Sequence, residues 1–204
     1  MEYMSVVLPK SVENLNLPDP QLTNYYKDLE NRSFWIDGEV DDFLNELIKY
    51  IISWNKEDLG TPTEARKPIK LFFFSPGGSL DMYRALTDII KLSETPVWGI
   101  VIGTAYSAAG MIYLSCHVKL MLKSSSILFH HGSANLSGSF SEVYAAMLEY
   151  QDQVREISQV ICDASTYTEE EVEERMNGDW YIRPQEAVEH GICDRIVENI
   201  SELF

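Results

Sequence analysis

Apolar residues recur along this chain in two patterns. Short runs that are apolar throughout read as strands covered on both faces, and longer stretches with apolar positions three and four apart read as helices with one buried stripe. Residues 33–36 make the first run, closed by Asp37-Gly38, and residues 41–54 carry Phe43, Leu44, Leu47, Ile48, Ile51 and Ile52 at helical spacing. Residues 55–67 are hydrophilic, contain Gly60 and Pro62, and read as a surface loop. A second strand over 69–74 runs into Ser75-Pro76-Gly77-Gly78, after which helical periodicity resumes over 80–92. A third run, 97–102, is broken at Gly103; a turn of small residues then leads into an apolar helix reaching Leu114. Two further runs, 118–122 and 127–129, are bridged by Lys123 and three serines. Strands alternating with helices in this way predict an α/β domain.

Downstream, Ser139 with Glu142 forms a capping box that opens a long helix to about residue 164. Its apolar positions, Val143, Met147, Tyr150, Val154, Ile157 and Ile161, alternate steps of four and three, a spacing that suits pairing with another helix as well as ordinary packing in its own domain. Thr168 with Glu171 opens an acidic helix ending at Asn177-Gly178. Pro184 starts a short helix through His190, Gly191 stops it, and residues 192–197 give a last strand. Residues 1–32 are polar, with Pro9, Pro18, Pro20, Tyr25 and Tyr26, and no element is assigned to them; they read as an arm or lead-in.

At 204 residues, 45% hydrophobic and 24% charged, the chain has the size and composition of one soluble domain with a proper core. The formal net charge of -16 argues against nucleic acid and anionic membranes, both of which need clustered Lys and Arg. Cys116, Cys162 and Cys193 lack metal-ligand spacing and suit a reduced cytoplasmic compartment as packing residues, so neither a metal nor a disulfide framework is expected. No signal peptide and no membrane-spanning segment is read from the sequence.

Candidate chemistry lies at four places. Ser107 stands in the small-residue turn between a strand and a helix, where a hydroxyl is exposed near free N–H groups that favour negative charge, although a serine at such a joint is more often a helix N-cap. The glycines of Ser75-Pro76-Gly77-Gly78 could leave backbone N–H groups open to a ligand, as in an oxyanion hole, or form a plain turn. His130 and His131 end a strand, where either could act as a general base. Asp179 follows a helix stop, and Trp180, Tyr181 and Ile182 would shield its carboxylate so that it could orient an imidazole, although most such aspartates are caps.

In this order and at these separations, SPGG, GTAYSAAG, ILFHHG and GDWYIRPQEAVEHGICDRIV resemble the proteolytic subunit of the Clp protease, the ClpP family of serine peptidases with the crotonase-like fold. The resemblance covers roughly residues 33 to 197, and its most specific stretches are the serine turn and PQEAVEHGICDRIV. It implies a spiral of ββα units with a protruding handle helix at about 139–164, preceded by a divergent segment over 1–32. By motif position it implies Ser107 as nucleophile, His130 as general base, Asp179 as orienting carboxylate, and Gly78 and Ala108 as oxyanion N–H donors. Three features depart from the family: Ala108 where Met is usual, His131-Gly132 where Gln-Pro is usual, and an amino terminus unlike the axial-loop segment.

The activity implied is peptide-bond hydrolysis through an acyl-enzyme, without metal or organic cofactor, in homo-oligomeric rings, heptamers or stacked heptamers, acting on peptides or unfolded proteins. ATP would enter only through a partner AAA+ unfoldase. A catalytically silent ring subunit and a crotonase-like acyl-CoA enzyme are the alternatives; the intact triad positions count against the first. The acidic composition counts against a basic coenzyme A site in the second.

Overall fold

In the computed structural model the described residues are 19–203. They divide into two units, with the boundary between Asn31 and Arg32. The described part of the first is one helix, α1 (Pro20–Glu30). Asp19 caps it by accepting the Gln21 N–H at 2.9 Å, and Pro20 occupies its first turn, where a missing N–H costs nothing. The sequence pattern assigns no element to 1–32, and the Asp-Pro pair is the local signal that marks this helix. The rest of the proposed arm, residues 1–18, lies outside the described residues.

The second unit repeats a simple motif: a long strand, a short strand, then a helix. The first repeat is β1 (Ser33–Ile36), β2 (Glu39–Val40) and α2 (Asn45–Glu57); the second is β3 (Ile69–Ser75), β4 (Gly77–Gly78) and α3 (Leu80–Leu92). β5 (Val97–Tyr106) then leads directly into α4 (Ala108–Leu114), and β6 (Val118–Leu122), β7 (Ser126–Phe129) and α5 (Phe140–Asp163) make a third repeat. α6 (Glu169–Met176), β8 (Trp180–Ile182), α7 (Pro184–Glu189) and β9 (Arg195–Val197) complete the unit. The main sheet runs β1-β3-β5-β6-β9, all parallel, and β2 pairs with β4 in a small second sheet. The middle strands of the main sheet are covered on both faces, so Ile100, Val101, Leu120 and Met121 are all fully buried, whereas β1 and β3 bury Phe34, Ile36, Leu71 and Phe73 on one face and leave Trp35 and Phe74 exposed on the other.

Gly103 does not end the third strand. β5 continues through it to Tyr106 and changes neighbour on the way: Trp98 to Val101 pair with β6, and Thr104 to Tyr106 pair with β7. The glycine is there for clearance, because a Cβ on it would lie 2.3 Å from the ring of Phe74, at the irregularity where β3 and β5 lose register. This change of neighbour carries the chain beyond the flat sheet and delivers Ser107 to a corner shared by β5 and β7.

The 55–67 stretch is also more than surface. α2 runs on to Glu57, and Asp58, which caps it, is buried against Arg32: Arg32 Nη1 and Nη2 lie 2.6 and 3.0 Å from the two Asp58 oxygens, and Thr95 donates its hydroxyl at 2.8 Å. That bidentate pair ties the entrance of β1 to the end of α2 and the turn before β5. Arg66 from the same stretch has its side chain largely buried and bonds the Thr61 carbonyl.

α5, at 24 residues, is about 36 Å long at the standard helical rise. Only Ile157, Ser158 and Ile161 are buried, so the helix is anchored through its second half, and its first two turns are largely exposed. Among the described residues no helix is long and apolar enough to cross a membrane. All three cysteines are free, and burial pushes the thiol of Cys116 well above its ordinary range, so it stays a neutral packing group.

Candidate active site

Two strand pairings bring the candidate residues together. β7 runs antiparallel to β8 with Ile127 opposite Ile182, Leu128 opposite Tyr181 and Phe129 opposite Trp180, so the next rung sets His130 beside Asp179. β7 also runs parallel to β5, and the N–H of Ser107, just past the end of β5, donates to the carbonyl of Leu128 at 2.8 Å. Residues far apart in sequence thus meet because three strand ends coincide.

Ser107 has φ 52 and ψ -124, a conformation that costs a side-chain-bearing residue about 1–3 kcal/mol. Its hydroxyl makes no capping bond to α4 and instead lies 2.9 Å from His130 Nε2. The N-cap alternative is therefore not the geometry adopted: the strain is spent on aiming the hydroxyl away from the helix and at the imidazole. His130 Nδ1 is 3.4 Å from Asp179 Oδ1, longer than a good hydrogen bond but close enough to orient the ring electrostatically.

The expected shielding of Asp179 is not found. Its side chain is 59% exposed, because Trp180 turns inward against Phe129 and Tyr167 while Tyr181 packs edge-on to Tyr106. The residues meant to cover the carboxylate are engaged elsewhere, by strand alternation on β8.

Ala108 opens α4, so its N–H belongs to the helix's unpaired first turn beside Ser107. Gly78 lines the same cleft, a recess of about 250 Å³ that also includes Ser107, His130, His131, Tyr150 and Ile157. Gly78 has φ +153 and approaches β2 so closely that a Cβ would lie 2.4 Å from the Val40 carbonyl oxygen. Gly77, at φ +97, backs onto the serine corner itself. Ser75 braces the turn, its hydroxyl donating to the Gly38 carbonyl at 2.5 Å and accepting the Gly77 N–H at 3.2 Å.

The Clp protease family model matches residues 20–200. The chain belongs to the Clp protease family. It is 28% identical over 177 residues to the chloroplastic ATP-dependent Clp protease proteolytic subunit 4 of Arabidopsis thaliana, an alignment covering 85% of this chain and 58% of the relative. To the ATP-dependent Clp protease proteolytic subunit 2 of Treponema denticola it is 26% identical over 180 residues, 87% of each chain. A solved structure of a ClpP1 point mutant from Listeria monocytogenes superposes with a TM-score of 0.74 at 22% identity, covering 89% of this chain and 99% of that one. The fold is the ClpP type: the repeated strand–strand–helix units are its spiral.

The two adjacent histidines of this family member diverge. His130 faces Ser107, whereas His131 Nε2 lies 3.6 Å from Glu173 Oε2 on α6. Glu173 in turn accepts the hydroxyl of Ser158 on α5 at 2.5 Å, and Tyr150 on α5 donates its hydroxyl to the His131 carbonyl at 2.8 Å. Sequence reading missed this bracing of the histidine loop. By spacing alone Tyr150 is one more apolar member of the α5 stripe, and no local pattern links Ser158, Glu173 and His131; only the tertiary fold does.

Proposed function

We propose that this chain is a serine endopeptidase that works within a homo-oligomeric ring. Peptide enters the cleft beside Ser107. His130 Nε2 takes the Ser107 proton as Oγ attacks the carbonyl carbon, and the N–H groups of Ala108 and Gly78 receive the developing oxyanion. The imidazolium returns the proton to the leaving amine, and Asp179 holds the ring in the tautomer that allows both steps. Water then repeats the sequence on the acyl-enzyme, regenerating Ser107. No step asks for a metal or an organic cofactor.

The observation that carries this reading is the strained Ser107 whose hydroxyl forgoes its helix and meets His130 at 2.9 Å. A His–carboxylate contact as long as the 3.4 Å between His130 and Asp179 is common in a free enzyme and tightens when substrate binds. The exposed apolar face of α5 formed by Phe140, Tyr144, Met147 and Leu148 supports ring assembly, since such a patch is costly to leave in water. Both named relatives are described as ATP-dependent, and such dependence would reach this chain through a separate AAA+ unfoldase acting on unfolded protein substrates. The cytoplasm is the compartment that fits three free thiols.

The test is reaction with a serine-directed phosphonate followed by intact mass, alongside hydrolysis of short fluorogenic peptides and native mass spectrometry. One adduct per chain, absent in Ser107→Ala, together with loss of peptidase activity in that variant, is expected. An unlabelled wild-type ring that cleaves nothing would instead identify a silent subunit.

A further inference from the structure

Besides the open cleft, a second recess adjoins Ser107 and His130. It is tiny, about 10 Å³, and is walled by Leu80, Ala108, Met111, Phe129 and Ile157. That volume holds the centre of about one water-sized sphere, so the recess admits a methyl group and little more. From it, we propose that this peptidase selects substrates with alanine, or a residue no larger, on the acyl side of the scissile bond. The inference rests on Ser107 being the nucleophile and adds the substrate class.

The side chain on the acyl side hangs from the carbon next to the attacked carbonyl, so it must be placed within a few ångströms of Ser107 Oγ. Two spaces are available there. The larger cleft is bordered by Pro76, Gly78, Leu80, Tyr150, Ile157 and the loop after β7, a mixed polar and apolar lining long enough to take an extended main chain. The small recess has apolar walls and shares Ser107 and His130 with that cleft, which is the arrangement a side-chain subsite needs.

Apart from half-buried Leu80 at the start of α3, the walls are not free to retreat. Ala108, Met111, Phe129 and Ile157 are each no more than 5% exposed, within the packed core. Phe129 is fixed edge-on against Trp180 and lies so near the α4 backbone that a Cβ on Gly110 would be 3.0 Å from its ring. Enlarging the recess would therefore displace core side chains rather than surface ones. In apolar subsites a single methylene changes selectivity by about 10- to 200-fold, so leucine and phenylalanine should be strongly rejected.

The experiment compares kcat/KM of the intact protein on fluorogenic peptides differing only in that residue: glycine, alanine, valine, leucine or phenylalanine. Alanine should exceed leucine and phenylalanine by at least about tenfold. Ile157→Ala and, separately, Met111→Ala should narrow that ratio by raising the leucine rate relative to alanine, with circular dichroism confirming the fold. Equal or better cleavage after leucine or phenylalanine by the wild type overturns the proposal. Phosphonates carrying a methyl or a benzyl side chain give an independent reading by intact mass. Faster Ser107 modification by the methyl probe supports the proposal, and faster modification by the benzyl probe overturns it while leaving the nucleophile assignment in place. Failure of both probes, with no peptide cleaved, overturns the assignment and the selectivity together.

Discussion

Gly77 and Ser107 are packed back to back: a Cβ on the glycine would lie 2.8 Å from the serine Cβ and 2.6 Å from the Tyr106 carbonyl oxygen. The glycine turn and the nucleophile corner thus form one rigid unit. Gly77→Ala combines a positive φ with overpacking against backbone and should destabilise by roughly 2–5 kcal/mol. Urea denaturation measures this. A change below about 0.5 kcal/mol, the size of an ordinary surface substitution, would show that the corner is compliant.

Strain at Ser107 predicts an inverted ranking of two substitutions. Glycine normally destabilises relative to alanine, yet at φ 52 and ψ -124 only glycine is relaxed. Ser107→Gly should therefore be more stable than Ser107→Ala by about 1 kcal/mol, though both lose hydrolysis. Melting temperatures of the two variants decide it, and a more stable alanine variant would mean that the strain is not real.

The paired histidines separate by role. His130→Ala should abolish turnover, because it removes the only ring in contact with Ser107 among the described residues, while His131→Ala should be much milder. Peptidase rates at saturating substrate are the measurement. Inactivation by the His131 substitution alone would move the general base by one residue.

Most of the strands and helices were legible because the middle strands of a parallel sheet, covered on both faces, demand continuous apolar runs, as in 97–102, and capping residues such as Thr168 mark helix starts locally. Ser107 was legible for the same reason: small residues between a strand and a helix announce a tight corner. What was not legible depended on contacts across the chain. Gly103 looks like a stop and is instead clearance for Phe74. Asp58 looks like loop polarity and is the buried partner of Arg32, 26 residues away. Trp180 and Tyr181 were expected to cover Asp179, but the chain alone does not say which neighbour each ring will choose.

The Arg32–Asp58 pair gives a pH dependence of stability. Hydrogen bonding to Arg32, aided by Thr95, holds the Asp58 carboxyl below its ordinary value of 3.8. A carboxylate with a lowered folded-state pKa adds stability that is fully present above the unfolded value and is lost as pH falls through the folded one. Asp58→Asn should therefore cost about 3–5 kcal/mol at neutral pH, since it leaves a buried guanidinium with only half-exposed Glu57 as counter-charge. The difference between wild type and variant should shrink steadily below about pH 4. Urea titrations at both ends of that range test this; a constant difference would place the stabilisation in packing rather than charge.

The surface of α5 makes the last prediction, and here the structure changes which residues should be tested. Of the stripe read from the sequence, Ile157 and Ile161 are buried, Val143, Tyr150 and Val154 are half-buried, and only Met147 is exposed. The uncovered apolar face is a neighbouring one, Phe140, Tyr144, Met147 and Leu148, spaced so that all four lie on one side of the helix over two turns, with Phe140 84% exposed. Val154→Glu would disturb the unit's own packing and confuse assembly with folding, whereas Tyr144→Glu with Leu148→Glu alters only the exposed face. If that face joins subunits, the double variant should form smaller particles by light scattering while keeping its circular dichroism and thermal transition, because two charges opposing an apolar seam are costly only when it is buried. Particles of unchanged size would mean that any ring is held through another surface, and a wild type that is monomeric and fully active would remove the need for one.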